Sequence, residues 1–258
     1  RDVERSRGLG DVYKRQVMLF GICCLAGCEG SRHYLKKVRL NEVAHSIFYA
    51  PQYVAIEKGY FEKEGIKLEL TTGFGADKTA TAVISGDADI AFMGPEATIY
   101  QFNQGNADYL INFAQLTQRA GNFVVSREKE DSFKWEDLKG KKVIGGRPGG
   151  MPEMVFEYVL KKHGMNPQKD INLVQNIDFA NTSGAFVSGE ADYTVEFEPA
   201  ATLIEEQGAG YVVASVGKES GYVPYTAYSV KKSYLETHKE LLAVSYTHLR
   251  AHETSLHL

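Results

Sequence analysis

The stretch Ala82-Val-Ile-Ser-Gly-Asp-Ala-Asp-Ile-Ala91 is answered further along the chain by Ala185-Phe-Val-Ser-Gly-Glu-Ala-Asp-Tyr-Thr194, and each copy is followed by a glutamate, a proline and an alanine. Each copy reads as the end of a helix, a Ser-Gly turn and a buried strand. Glycine tolerates the left-handed conformation that closes a helix, and the short apolar run after it suits a strand. Two unrelated turns of a common type would look similar. The shared downstream Glu and Pro weigh against that, because strand ends in open α/β sheets are where ligands bind. A unit used twice implies two similar lobes, and two lobes facing each other make a cleft.

Outward from the first copy, Val38 to Val43 and Ile66 to Thr71 read as strands, with a short helix over Pro51 to Lys58 between them. Asp77 to Ser85 is an amphipathic helix, Ile90 to Met93 a buried strand, Ala97 to Asn103 a helix and Leu110 to Gln115 a strand. Around the second copy, Asn122 to Arg127 reads as a strand. A further strand ends at Ile144, a Gly-rich loop leads into a helix over Pro152 to His163, and Ile171 to Val174 is again a strand. The alternation predicts an α/β protein.

Composition narrows the function. The 258 residues are 43% hydrophobic and 24% charged with a formal net charge of −4, so disorder and collagen-like repetition are excluded. Cations are interspersed with acids, which leaves no basic stripe for a nucleic-acid partner. The three cysteines, Cys23, Cys24 and Cys28, lie together near the start. No thiol remains in the body of the chain for a disulfide, a zinc site or a nucleophile, and neither a metal nor a cofactor is expected.

The two ends fail a coding test. Codons GAT GTG TAT AAG AGA CAG spell Asp11 to Gln16, and their reverse complement, CTGTCTCTTATACACATC, read from its third base, spells Val244 to His248. Ser6 to Gln16 and Val244 to Thr254 can be written as the two strands of one DNA sequence that resembles a transposon adapter used in preparing sequencing libraries. Residues 1–16 and 244–258 are therefore read as adapter-derived. Residues 17–27 read as the remnant of a signal peptide, since the apolar run there is too short to span a bilayer. Leu25-Ala-Gly-Cys28 resembles the bacterial lipoprotein box, which implies lipidation of Cys28 and a tether over 28–37. The body then divides into lobe 1 (38–121), lobe 2 with crossover strands (122–230) and the start of a return to lobe 1 (231–243).

Tyr53-Val-Ala-Ile-Glu-Lys-Gly-Tyr-Phe-Glu-Lys-Glu-Gly-Ile66, Ile84-Ser-Gly-Asp-Ala-Asp-Ile-Ala91 and Leu138-Lys-Gly-Lys-Lys-Val-Ile144 before a Gly-rich loop together resemble the solute-binding proteins of ABC importers. The branch is the one that includes nitrate, sulfonate, taurine and thiamine-pyrimidine-precursor binders. The resemblance implies a two-lobed periplasmic-binding-protein-like α/β fold of type II, C-terminally truncated, with crossovers near Asn122 to Arg127 and Tyr225 to Lys231. It implies no enzymatic activity and an extracytoplasmic protein held at the membrane by a lipid anchor. The implied partners are a small-molecule ligand and the permease and ATPase subunits, and a monomer is expected. Pyrimidine synthases and ligand sensors on the same fold are the alternatives; the synthases carry a cysteine-rich motif absent here.

Loops at strand C-termini and helix N-termini should face the cleft. They supply the candidate ligand-binding residues His45, Ser46 and Tyr49 after the first strand, Phe74 after the second and Glu96 after the repeated strand. Gln118 and Arg119 precede the first crossover, Arg147 sits in the Gly-rich loop, and Phe197 and Glu198 end the second repeated strand. His45 beside Ser46 lacks the spacing of a catalytic triad, so hydrogen bonding or capping is the expected role. Gly145 to Gly150 does not satisfy the dinucleotide fingerprint, but its free N–H groups beside Arg147 suit a carboxylate or phosphate. Aromatic faces mixed with acids favour a heterocycle or amine, with Glu96 and Glu198 meeting ligand nitrogen from opposite sides, over nitrate or a sulfonate.

Overall fold

The computed structural model describes residues 35–243. The adapter-like ends, the leader, Cys28 and the tether up to residue 34 lie outside the described residues.

Two five-stranded sheets carry the chain. The first holds β1 (Lys36–Glu42), β2 (Ile66–Thr72), β3 (Ile90–Met93), β4 (Leu110–Thr117) and β10 (Thr226–Lys231) in the order β2-β1-β3-β10-β4. The second holds β5 (Asn122–Ser126), β6 (Lys142–Ile144), β7 (Asn172–Val174), β8 (Tyr193–Phe197) and β9 (Tyr211–Ser215) in the order β7-β6-β8-β5-β9. In each sheet three parallel strands are followed by a fourth that runs antiparallel to both its neighbours, and then by a fifth. The fourth strand is in each case one that has just arrived from the other half of the chain. This is the two-lobed type II arrangement.

The sequence repeat is a structural repeat. Corresponding residues Ile90 and Tyr193 lead the third strand of each sheet, paired with Leu40 and Val143. Before them, helix Ala76–Ser85 ends at Gly86 with φ 88°, and helix Thr182–Val187 is followed by Gly189 with φ 98°. The two glycine N–H groups return to matching carbonyls, Val83 and Phe186, at 3.2 and 3.0 Å. A side chain at either glycine would strain the left-handed turn that aims the strand back into its sheet.

Each lobe has its own core. Val38, Leu40, Phe61, Phe92, Leu116, Tyr228 and Val230 are buried in the first, and Val124, Val143, Phe156, Val159, Leu160 and Val195 in the second. Helix Met151–Lys162 packs on the second core. It opens with Pro152 and Glu153 and closes with Lys161 and Lys162, a charge order that suits the helix dipole.

The crossings depart from the sequence reading. The strands near 122–127 and 225–231 lie inside the sheets, each paired on both sides, so their backbone groups are satisfied there and do not bridge the lobes. The chain crosses in the short links 118–121 and 221–225, which bond to each other: Val223 N–H donates to the Gln118 carbonyl at 2.9 Å and Tyr225 N–H to that of Thr117 at 3.1 Å. A Cβ at Gly217 would lie 2.1 Å from the Ala120 carbonyl oxygen, so glycine is required where the second lobe meets the first link.

Candidate functional site

A cavity of about 400 Å³ lies between the two sheets, lined by strand ends and helix starts of both lobes. Its aromatic wall comes from Tyr49, Phe179, Phe197 and Tyr225. Phe197 lies 5.7 Å from Phe48 and Phe179 and 6.2 Å from Tyr225, ring centre to ring centre, so the wall is continuous across the lobes. The lobes touch around the cavity. Arg147 pairs with Asp77 at 3.2 Å, the Tyr100 hydroxyl donates to the Gly149 carbonyl at 3.0 Å, and the Ser46 hydroxyl donates to the Glu198 carbonyl at 2.9 Å. The structure is a closed form.

Glu96 is the buried carboxyl of the cavity, 4% exposed. It heads helix Glu96–Asn103 in the first lobe, and its Oε1 accepts from the Met151 N–H at 3.0 Å, the first residue of helix Met151–Lys162 in the second. Its Oε2 is buried without a partner. Burial pushes its pKa up to about 7, against which the N–H groups of Glu96 itself and Met151 act. Gly94 makes room for it: a Cβ there would sit 2.1 Å from Oε2. Nearby, the Tyr225 hydroxyl is also buried and unpartnered, and burial holds that phenol well above its ordinary value. Glu96 and Tyr225 thus bring to the cavity's edge one carboxyl oxygen and one phenol that no protein group satisfies, beside an aromatic wall.

Of the sequence candidates, Tyr49, Glu96, Arg147 and Phe197 line the cavity. His45, Ser46, Phe74, Gln118, Arg119 and Glu198 do not. His45 is exposed and bonds through Nδ1 to Glu42 Oε1 at 2.8 Å. Glu42 is fully buried and also accepts from Gln52, Tyr53 and Thr72, so this network shapes the loop after β1. Ser46 caps the short 3₁₀ turn Ile47–Tyr49. Phe74 is 53% exposed at φ 55°. Gln118 lies in the crossover, and Arg119 stacks over Tyr222 at 4.2 Å, outside the cavity. Glu198 accepts from the Thr202 N–H at 3.1 Å; capping its own helix keeps it from opposing Glu96 across a ligand. Arg147, the one cation among the lining residues, is engaged by Asp77.

Sequence reasoning missed Tyr100, Phe179 and Tyr225. Tyr225 ends the second link, just before the return strand, and carried a signal in that position beside a crossover; Tyr100 lay in an expected helix and looked ordinary, and Phe179 carried no signal. Among the described residues no group of three His, Cys, Asp or Glu is placed to hold a metal ion.

Two lobes joined by paired links and closed over one small cavity define the class of two-lobed solute-binding folds. The chain belongs to the NMT1/THI5-like family, whose profile matches residues 47–251. It is 51% identical over 229 residues to YtlA of Bacillus subtilis (strain 168), named as a candidate binding protein, covering 89% of this chain and 68% of that one. Among solved structures it resembles the periplasmic aliphatic sulphonate-binding protein SsuA of Escherichia coli, with TM-score 0.68, 18% identity and coverage of 83% and 71% of the two chains. It also resembles the periplasmic nitrate-binding protein NrtA of Synechocystis PCC 6803, with TM-score 0.65, 18% identity and coverage of 83% and 60%.

Proposed function

We propose that this protein is the extracytoplasmic solute-binding component of an ABC importer. It captures a small nitrogenous or heteroaromatic solute, such as a thiamine pyrimidine precursor, between its lobes and presents the closed form to permease and ATPase subunits. The observation that carries the reading is the closed cavity of about 400 Å³ with its aromatic wall and one unpartnered Glu96 oxygen. That volume lies within the range of small-molecule sites. A flat ring stacks on the wall, a ring or amino N–H donates to Glu96, and the Tyr225 hydroxyl donates to a ring nitrogen or hydroxyl. Binding that bridges both lobes favours the closed state over the open one. The family and the naming of YtlA as a binding protein support the solute-binding part of this reading. Leu25-Ala-Gly-Cys28 supports a lipid anchor at Cys28, and a Cys28→Ser variant should then lose labelling by radioactive fatty acid.

Nitrate and sulfonate binders share the fold. Against such a ligand here stands the charge of the cavity, where the lone lining cation is already paired. Calorimetric titration with 4-amino-5-hydroxymethyl-2-methylpyrimidine, taurine and nitrate decides between them. The pyrimidine should bind with Kd about 1 μM or tighter, worth about 8 kcal/mol. Tight taurine or nitrate binding with a silent pyrimidine would overturn the substrate class.

A further inference from the structure

The N-terminus of helix Met151–Lys162 has the makings of an anion site. It is a twelve-residue helix, its dipole favours negative charge, and the loop before it has left-handed glycines at Gly146 and Gly149. The structure fills that place from within. The Met151 N–H is taken by Glu96 Oε1 across the cleft at 3.0 Å, and the Gly149 N–H by Glu153 Oε2 at 3.2 Å. Glu96 lines the cavity and is 4% exposed, Glu153 5%, and the second oxygen of Glu96 is buried with no partner. An anionic solute entering would compete with the Glu96 carboxyl for the same donors and, where that carboxyl is ionised, face its charge at close range. A solute bearing an N–H donor would instead satisfy the bare Oε2 and leave the helix contact in place.

We infer that Glu96 is a built-in occupant of the opposite lobe's helix N-terminus, and that it makes the cleft reject anionic solutes and select one that donates N–H to its free oxygen. The inference rests on the reading of the cavity as the solute site. It explains how a fold shared with sulphonate- and nitrate-binding proteins can take a different ligand class through one side chain.

Glu96→Ala is the test, because alanine keeps Cβ and removes a carboxymethyl group whose free equivalent is acetate; nitrate has the same planar oxygen geometry. Wild type, Glu96→Ala and the charge-retaining Glu96→Asp are titrated with acetate, nitrate and methanesulfonate by calorimetry. The titrations are run at pH 8, above the value of about 7 to which burial pushes Glu96, so that its carboxyl is ionised. The alanine variant should take acetate and nitrate at least about tenfold more tightly than wild type, with Glu96→Asp behaving as wild type. Wild-type binding of any of the three anions below about 1 mM overturns the inference, whatever the variants do. So does a folded alanine variant, judged by circular dichroism, that gains no anion. If Glu96→Ala does not fold, Glu96→Ser carries the same comparison. Failure of solute capture itself is separately visible as a silent pyrimidine titration.

Discussion

Two buried glutamates stand near the ends of the repeated strands, and they are held in opposite ways. Glu196, inside β8, receives hydroxyl groups on both oxygens, from Thr194 at 2.7 Å and Thr182 at 3.1 Å, all within its own lobe. Glu96, three residues past the end of β3, has one oxygen bound by a backbone N–H of the other lobe and the other buried without a partner. Both are 4% exposed, and burial pushes both up to about 7. Burial and a raised pKa therefore do not distinguish a binding group from a structural one; the difference is whether the carboxyl is satisfied at home.

The largest expected effect tests what the pair has in common. An unfolded glutamate titrates near 4.3, so between there and about 7 the native state holds more protons than the unfolded one, and stability falls as pH rises through that window. Each group should account for about 3–4 kcal/mol of the loss across the whole window and about 2 kcal/mol of it above about pH 5.5. Thermal melts should give a higher Tm at pH 5.5 than at pH 8, and Glu196→Gln should flatten the slope while raising Tm at pH 8. A wild-type Tm that rises over this range, or an unchanged slope in the variant, contradicts the assignment.

A smaller effect separates the two residues. With the Met151 N–H holding the carbonyl oxygen, glutamine at position 96 must turn its NH₂ toward the cavity, where a ligand donor then meets a donor. Glu96→Gln should weaken binding of an amino-pyrimidine by about ten- to a hundredfold in calorimetry, a loss of roughly 1.5–3 kcal/mol. Glu196→Gln should change that affinity by no more than about twofold. Equal losses in both variants would erase the contrast.

The smallest effect concerns the rim. Asp77 and Arg147 pair across the cleft but are well exposed, with side chains 61% and 38% accessible. Such pairs contribute about 0.2–1 kcal/mol. Asp77→Asn should therefore weaken ligand binding by at most about fivefold, and the difference should vanish in high salt. A larger, salt-insensitive loss would move Asp77 from the rim into the binding contacts.

Much of the architecture was legible in the chain. The Ser-Gly-acid-Ala-Asp repeat marks matching turns at Gly86 and Gly189 and matching third strands, because turn chemistry and strand burial are local properties written in consecutive residues. Tyr49, Glu96, Arg147 and Phe197 could be expected at the cleft from their places after strands. The same rule also nominated His45, Ser46 and Glu198, whose side chains found partners elsewhere: Glu42, the Glu198 carbonyl and the Thr202 N–H.

The sequence by itself determined an α/β chain of two similar halves, each with its own core, and a set of polar residues near strand ends. Only the tertiary structure decided which of those residues face a ligand. The deciding partners are remote: Met151 is 55 residues from Glu96, and Arg147 is 70 from Asp77. They meet only when the lobes close. A periodic pattern specifies which face of an element is buried, whereas the fate of a polar side chain depends on what another segment brings within hydrogen-bonding distance of it.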